Sequence, residues 1–378
     1  MKASSLLHPL PSPLSLSSSS TKPPLISTLF HKFHSFKPQS FNPPISSKTL
    51  HKPKTPLFLK PPIYSTQSSH LQTFITWAKH LITSLEPTCT DFDSSILHRE
   101  LKWFLDDAVE DPSMITQPSG TVQCKVVNLR ENLDTMYQLW EDRMVRRRPF
   151  QYIVGCEHWR DLVLSVEDGV LIPRPETGEI VDVVESLVNG VDGGNGLGKD
   201  GIWADLGTGS GALAIGIARV LGGEGKVVGV DVSDVAVSVA KYNVERYGLQ
   251  DIIDIRQGSW FDPIIEFEGQ LTGLVSNPPY IPSKDMDGLQ AEVGKHEPWL
   301  ALDGGVEGLD YLSYLCTKTS TMLKPGGFFA FETNGEEQCK ILANYLENES
   351  GGSIGNVKIV SDFAGVPRFV TGHRRETR

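Results

Sequence analysis

From Gly201 onward short apolar runs alternate with amphipathic helical stretches. That alternation restricts the C-terminal half to a parallel α/β sheet, doubly wound with helices on both faces. Ile202 to Leu206 reads as the first strand and Ala212 to Leu221 as its helix. Lys226 to Val230 is the second strand, closed by Asp231, and Val235 to Tyr247 is the helix after it. Ile252 to Arg256, Gly273 to Ser276 and Phe328 to Glu332 are later strands, with Lys324-Pro325-Gly326-Gly327 as the turn that feeds the last.

Between the first strand and its helix lies Asp205-Leu206-Gly207-Thr208-Gly209-Ser210-Gly211. Its glycines allow a tight turn and bring backbone N–H groups close to a ligand at a helix start. Loops of this kind serve NAD, FAD and S-adenosylmethionine alike. Asp231 follows Gly211 by 20 residues and suits ribose hydroxyls in either a NAD or an adenosylmethionine reading. Asp205 either orders the loop or reaches the ligand. Trp260, in Gly258-Ser259-Trp260-Phe261, either stacks on adenine or fills core. No catalytic His constellation accompanies the glycines, which weighs against an NAD oxidoreductase.

The strand Gly273 to Ser276 runs straight into Asn277-Pro278-Pro279-Tyr280. Proline brings no N–H, and the residue before it is pushed toward an extended conformation. The segment therefore presents acceptors, the Asn277 side-chain oxygen and the Pro278 carbonyl, with Tyr280 as a flat wall. Such a site suits an NH2 group. The bland alternative is a rigid loop with a satisfied asparagine.

Upstream, His70 to Arg148 is helical in pattern: Leu71, Phe74, Trp77, Leu81 and Leu85 recur every three or four residues, as do Leu97, Leu101, Phe104 and Leu105. Asp91-Phe92-Asp93-Ser94 supplies a cap for the second helix. Leu162, Leu164 and Val166 alternate after Trp159, and Asp168-Gly169 reads as a hairpin turn leading to Ile172-Pro173-Arg174-Pro175-Glu176-Thr177. The expected division is 1–65 as a disordered leader, 66–150 helical, 151–178 a linking hairpin and 179–378 the α/β domain.

Charge separates the leader from the rest. Residues 1–85 hold nine Lys, no Arg and no acid, whereas the remainder carries 26 basic and 46 acidic residues. An acidic body disfavours a duplex-binding enzyme, although Arg143 to Arg148 offers a local basic run. The Ser-, Pro- and Lys-rich start reads as an organelle transit peptide, for the chloroplast with the mitochondrion as alternative. No apolar run reaches the ~18–20 residues of a membrane span. Five scattered cysteines without a CxxC pair point to neither zinc nor a disulfide scaffold. No metal is expected.

Taken in order, Ile172-Pro173-Arg174-Pro175-Glu176-Thr177, the glycine loop, Trp260 and Asn277-Pro278-Pro279-Tyr280 resemble the release factor glutamine methyltransferases of the HemK/PrmC family, in an organellar plant-type form. The resemblance runs from about Leu71 to Arg378 and includes Arg146 to Gly155 and His296-Glu297-Pro298. It implies a Rossmann-like class I methyltransferase sheet with a small helical substrate-recognition domain and a linking β-hairpin. It also implies methyl transfer from S-adenosyl-L-methionine to the glutamine side-chain nitrogen (N5) in the Gly-Gly-Gln loop of peptide-chain release factors. Cofactor contacts would come from Asp205, Gly207, Thr208, Gly209, Ser210, Gly211, Asp231, Trp260 and Asn277. The acceptor would meet Asn277, Pro278, Pro279 and Tyr280, of which Asn277, Pro278 and Tyr280 would be catalytic. The expected partners are release factors as protein substrate, with a monomeric enzyme, no stable nucleic-acid binding and no membrane. Asn-Pro-Pro-Tyr is shared with methyltransferases of exocyclic amines in RNA or DNA, the competing enzyme reading; a silent adenosylmethionine-binding protein is the third. Two departures stand out: Gly178 where an acid commonly follows the threonine, and Glu332-Thr333-Asn334-Gly335 in place of Glu-x-Gly.

Overall fold

A computed structural model describes residues 51–85, 93–115, 125–190 and 197–376. The stretch 1–50, most of the expected leader, lies outside them. Helix α1 (Ser68–Leu85) buries Leu71, Phe74, Ala78 and Ile82, the inward stripe of a 3.6-residue repeat. Asp93 caps α2 (Ser94–Ala108) by accepting from the Ser95 N–H, and Asn132 caps α3 (Leu133–Val145) by accepting from Thr135. Trp140 of α3 stacks on Phe104 of α2, their ring centres 6.0 Å apart. A short ladder, β1 (Tyr64–Gln67) against β2 (Val126–Leu129), closes the unit.

Residues 51–65, assigned to the leader by composition, have defined structure. They form a strap, because two apolar anchors, Leu57 and Phe58, and a few polar contacts suffice in a Pro-rich stretch. Leu57 is buried in the helical core, the Lys54 N–H reaches Glu167 at 2.9 Å, and Arg130 holds the Lys60 carbonyl at 2.8 Å.

Helix α4 (Phe150–Val154) ends at Gly155, φ 78°, and leads into a hairpin of β3 (Cys156–Trp159) and β4 (Leu162–Ser165). The hairpin turn is Arg160-Asp161, with Arg160 at φ 54°. Asp168-Gly169 is instead a turn after β4. The chain beyond it pairs with no strand, because the Ile172 N–H is taken by the Glu297 carboxylate at 3.1 Å.

Helix α5 (Glu179–Val188) then leads into a seven-stranded sheet of order β10-β11-β9-β8-β5-β6-β7. Strands β5 (Ile202–Leu206), β6 (Lys226–Asp231), β7 (Ile253–Gln257), β8 (Leu271–Ser276) and β9 (Leu323–Glu332) are mutually parallel. The expected Lys324–Gly327 turn loops out of register between Leu323 and Phe328. An antiparallel edge, β10 (Ile354–Ser361) and β11 (Pro367–Arg374), completes the sheet and was not anticipated. Its polar-rich strands lack the apolar run that betrays a central strand. Helices α6 (Ala212–Leu221) and α7 (Asp234–Arg246) cover one face with α5; α9 (Asp310–Met322) and α10 (Glu336–Asn348) cover the other. Strand β9 shows the two-sided burial directly: Phe328 and Ala330 face the first layer, Phe329 and Phe331 the second. Among the described residues no helix is long and apolar enough to cross a membrane.

Candidate active site

Strand β5 lies between β6 and β8, so the connections leaving the β5 and β8 ends diverge there and open a crevice. A cavity of about 620 Å³ fills it, within the usual range for a small-molecule site. The glycine loop forms its floor. Gly207, Gly209 and Gly211 have φ of 75°, 54° and 84°, the left-handed region that glycine enters without strain. A Cβ on Gly207 would sit 3.7 Å from the Asn277 carbonyl oxygen and 4.0 Å from the Trp260 ring, so loop and acceptor motif converge. Thr208 and Ser210 are buried, and the Ser210 carbonyl accepts from Asn243 at 2.9 Å.

Asp205 orders the loop and also lines the cavity. Its Oδ2 orders the loop, accepting from the Thr208 hydroxyl at 2.6 Å and the Ala214 N–H at 3.0 Å. Its Oδ1 is buried and has no hydrogen-bond partner among the described residues. Burial pushes the carboxyl up to about 7, and an unpaired buried oxygen is what an incoming ammonium group would satisfy. Asp231 ends β6, accepting from Gly209 N–H and Ser233 N–H at 2.9 Å each. Burial raises its pKa too. Remaining lone pairs on both Asp231 oxygens suit hydroxyl donors. Trp260 is held at φ 47°, unusual for so bulky a residue, and its ring lies 5.3 Å from that of Tyr311, tilted by 38°. Both rings line the cavity. This donor and acceptor set fits a cofactor with an amino acid end, a ribose and a purine.

At the other end Asn277 donates from Nδ2 to Thr177 Oγ1 at 3.1 Å, while among the described residues no hydrogen bond reaches its Oδ1. An amide anchored through nitrogen leaves its oxygen to face a donor. Pro279 lines the cavity, but Pro278 is buried and Tyr280 turns aside. The Tyr280 hydroxyl donates to Glu332 Oε1 at 3.0 Å, and its carbonyl accepts from Gln338 at 2.9 Å. Thr177, Glu332 and Tyr311 carried no assigned role in the sequence. Thr177 and Glu332 stood in quoted segments, Tyr311 in none.

A second layer supports this end. Arg174 pairs with Glu297 at 2.5 Å, locking the Pro-Arg-Pro segment to the loop that follows α8 (Ala291–His296). From that loop Pro298, Leu300 and Ala301 reach the cavity. His296 bonds the Arg146 carbonyl at 2.8 Å, a link to the helical unit and not a cavity group. Arg143 is buried against Glu100 at 2.7 Å and also meets Glu292; Arg147 grips Glu292 at 2.6 Å. The basic run is thus largely spent on internal pairs. Gly178 lies under Arg160, whose side chain a Cβ there would approach to 3.2 Å. Asn334 gives its N–H to Gln338 at 2.9 Å. No group of three or more His, Cys, Asp or Glu suited to a metal occurs among the described residues.

A family model described as ribosomal protein L11 methyltransferase (PrmA) matches residues 195–277. The chain is 38% identical over 272 residues to the release factor glutamine methyltransferase of Synechocystis sp., covering 72% of this chain and 88% of that protein. Against the protein of the same name from Thermosynechococcus vestitus identity is 37% over 301 residues, covering 79% and 97%. Against that from Gloeobacter violaceus it is 39% over 269 residues, covering 70% and 90%.

Proposed function

The chain belongs to the release factor glutamine methyltransferase family and uses S-adenosylmethionine, and we propose that its acceptor is the glutamine side-chain nitrogen (N5) in the Gly-Gly-Gln loop of a chloroplast release factor. The observation that carries this reading is the Asn277 amide, tied through nitrogen to Thr177 and left with an open oxygen beside the glycine loop. When bound, the cofactor supplies an electrophilic sulfonium methyl. In this reading Asp205 Oδ1 takes its ammonium, Asp231 its ribose hydroxyls, and Trp260 with Tyr311 its adenine.

A carboxamide nitrogen is a weak nucleophile because its lone pair is delocalised into the carbonyl. Asn277 Oδ1 accepts one of its N–H groups, aims the nitrogen and favours the positive charge that grows on it. Orientation of two bound reactants contributes up to ~7–11 kcal/mol in favourable cases. Tyr280, anchored by Glu332, stiffens the motif. The organelle assignment rests on the acid-free, Ser- and Lys-rich leader.

The test is a side-by-side assay with labelled methyl donor on a release factor, its Gln→Glu and Gln→Asn variants, tRNA and duplex DNA. Label is expected on the wild-type release factor alone. A glutamate sets a carboxylate against acceptor oxygens, and an asparagine falls one methylene short. Label on nucleic acid with none on the release factor overturns the reading in favour of an exocyclic-amine methyltransferase.

A further inference from the structure

Glu332 ends β9 with a wholly buried carboxylate behind the acceptor end of the cavity. The Tyr280 hydroxyl occupies Oε1, whereas Oε2 has no hydrogen-bond partner among the described residues. The Thr177 hydroxyl lies beside this carboxylate, with Arg368 from β11 and Glu176 from the Thr177 turn as the other charged neighbours. Thr177 accepts the Asn277 N–H, so its own proton remains to be given, and the adjacent carboxylate is the natural acceptor.

The direction of that chain decides what Asn277 shows to the cavity. With Glu332 ionised, Thr177 donates to it and offers a lone pair to the Asn277 NH2, leaving the amide oxygen outward. With Glu332 neutral, its proton goes to Thr177, and the Thr177 proton then seeks the Asn277 oxygen. The amide turns over and its NH2 meets the NH2 of the substrate, donor against donor. We propose that Glu332 is a positioning residue whose carboxylate, acting through Thr177, fixes the Asn277 amide with its oxygen toward the acceptor nitrogen. This rests on the reading that Asn277 holds the acceptor amide.

Burial raises the Glu332 carboxyl to about 7, with Thr177, Arg368 and Tyr280 pulling it down and Glu176 pushing it up. The oriented form is therefore lost as pH falls below neutrality and gained above it.

Glu332→Gln keeps the shape and supplies a permanent NH2 where the carboxylate stood. Its kcat on release factor is expected to fall at least tenfold, with cofactor affinity within twofold of wild type and the rise of kcat through pH 7 abolished. Thr177→Val should fall as far, Thr177→Ser should keep most activity, and Glu332→Gln with Thr177→Val together should be no worse than the poorer single variant. An unchanged kcat and pH profile in Glu332→Gln, or losses that multiply in the double variant, overturns the proposal. Should Glu332→Gln not fold, equal activity of the Val and Ser variants at Thr177 does the same. A wild-type enzyme silent on release factor fails the functional reading, whereas an active wild type with an indifferent Glu332→Gln fails only this inference.

Discussion

Replacing Asn277 by alanine isolates the acceptor end from the rest of the cavity. The side chain makes one hydrogen bond, from Nδ2 to Thr177 at 3.1 Å, and is only partly buried. Its loss costs stability about 1 kcal/mol, the scale of one net hydrogen bond, so the variant folds. The backbone of Asn277, which closes over Gly207, is untouched, and so is the glycine loop. On the proposed reading, what disappears is the pre-aimed acceptor for the reacting nitrogen. Removing one such group typically costs about 3 kcal/mol of transition-state stabilisation, roughly two orders of magnitude in rate. Single-turnover methylation of release factor, beside calorimetry with S-adenosylmethionine, separates the two ends. The expected outcome is a rate about a hundredfold lower with cofactor affinity nearly unchanged. A rate within threefold of wild type would refute the assignment of Asn277, and a parallel collapse of cofactor affinity would show that the two ends are not separable.

Asp231→Ala removes an acceptor and frees the Gly209 and Ser233 N–H groups; calorimetry should find S-adenosylmethionine bound at least tenfold more weakly, and unchanged affinity would reduce Asp231 to a loop fastener. Arg143→Met leaves Glu100 buried without its cation, which costs about 3–5 kcal/mol for a broken buried pair. A denaturant midpoint equal to wild type would show that the pair contributes nothing net. Residues 1–50 fused to a fluorescent protein should carry it into chloroplasts; mitochondrial signal would reject the organelle and uniform cytosolic signal would reject targeting.

What the sequence disclosed was local. A strand, its glycine turn and the following helix are contiguous, so the β5 loop and Asp231 could be placed without knowing any partner. The Asn277 amide was legible as a motif, but not its orientation, because Thr177 stands 100 residues earlier and only the fold brings them together. Tyr280 gives the same lesson. Its ring reads as a wall for the acceptor, yet its hydroxyl finds Glu332, 52 residues on, and the ring leaves the cavity. Residues 51–65 were misjudged because composition averages over a window, whereas Leu57 and Phe58 with a few polar contacts pin them to the folded body. Asp168-Gly169 carried a genuine turn signal, but a turn makes a hairpin only if the next residues find a strand, and Ile172 found Glu297 instead.

The clasp formed by Arg143 and Arg147 on Glu292 has a consequence for encounter with a protein substrate. Units joined by a polar interface ordinarily sample a range of mutual angles, and a ligand that bridges them must freeze that sampling when it binds. Here the helical unit is anchored to the very helix that continues into Glu297, Pro298 and Leu300 at the cavity rim. The orientational entropy is lost once, on folding, so a protein substrate that touched both the helices and the cavity rim would meet them at an angle already fixed. The enzyme is a jig, set before the workpiece arrives.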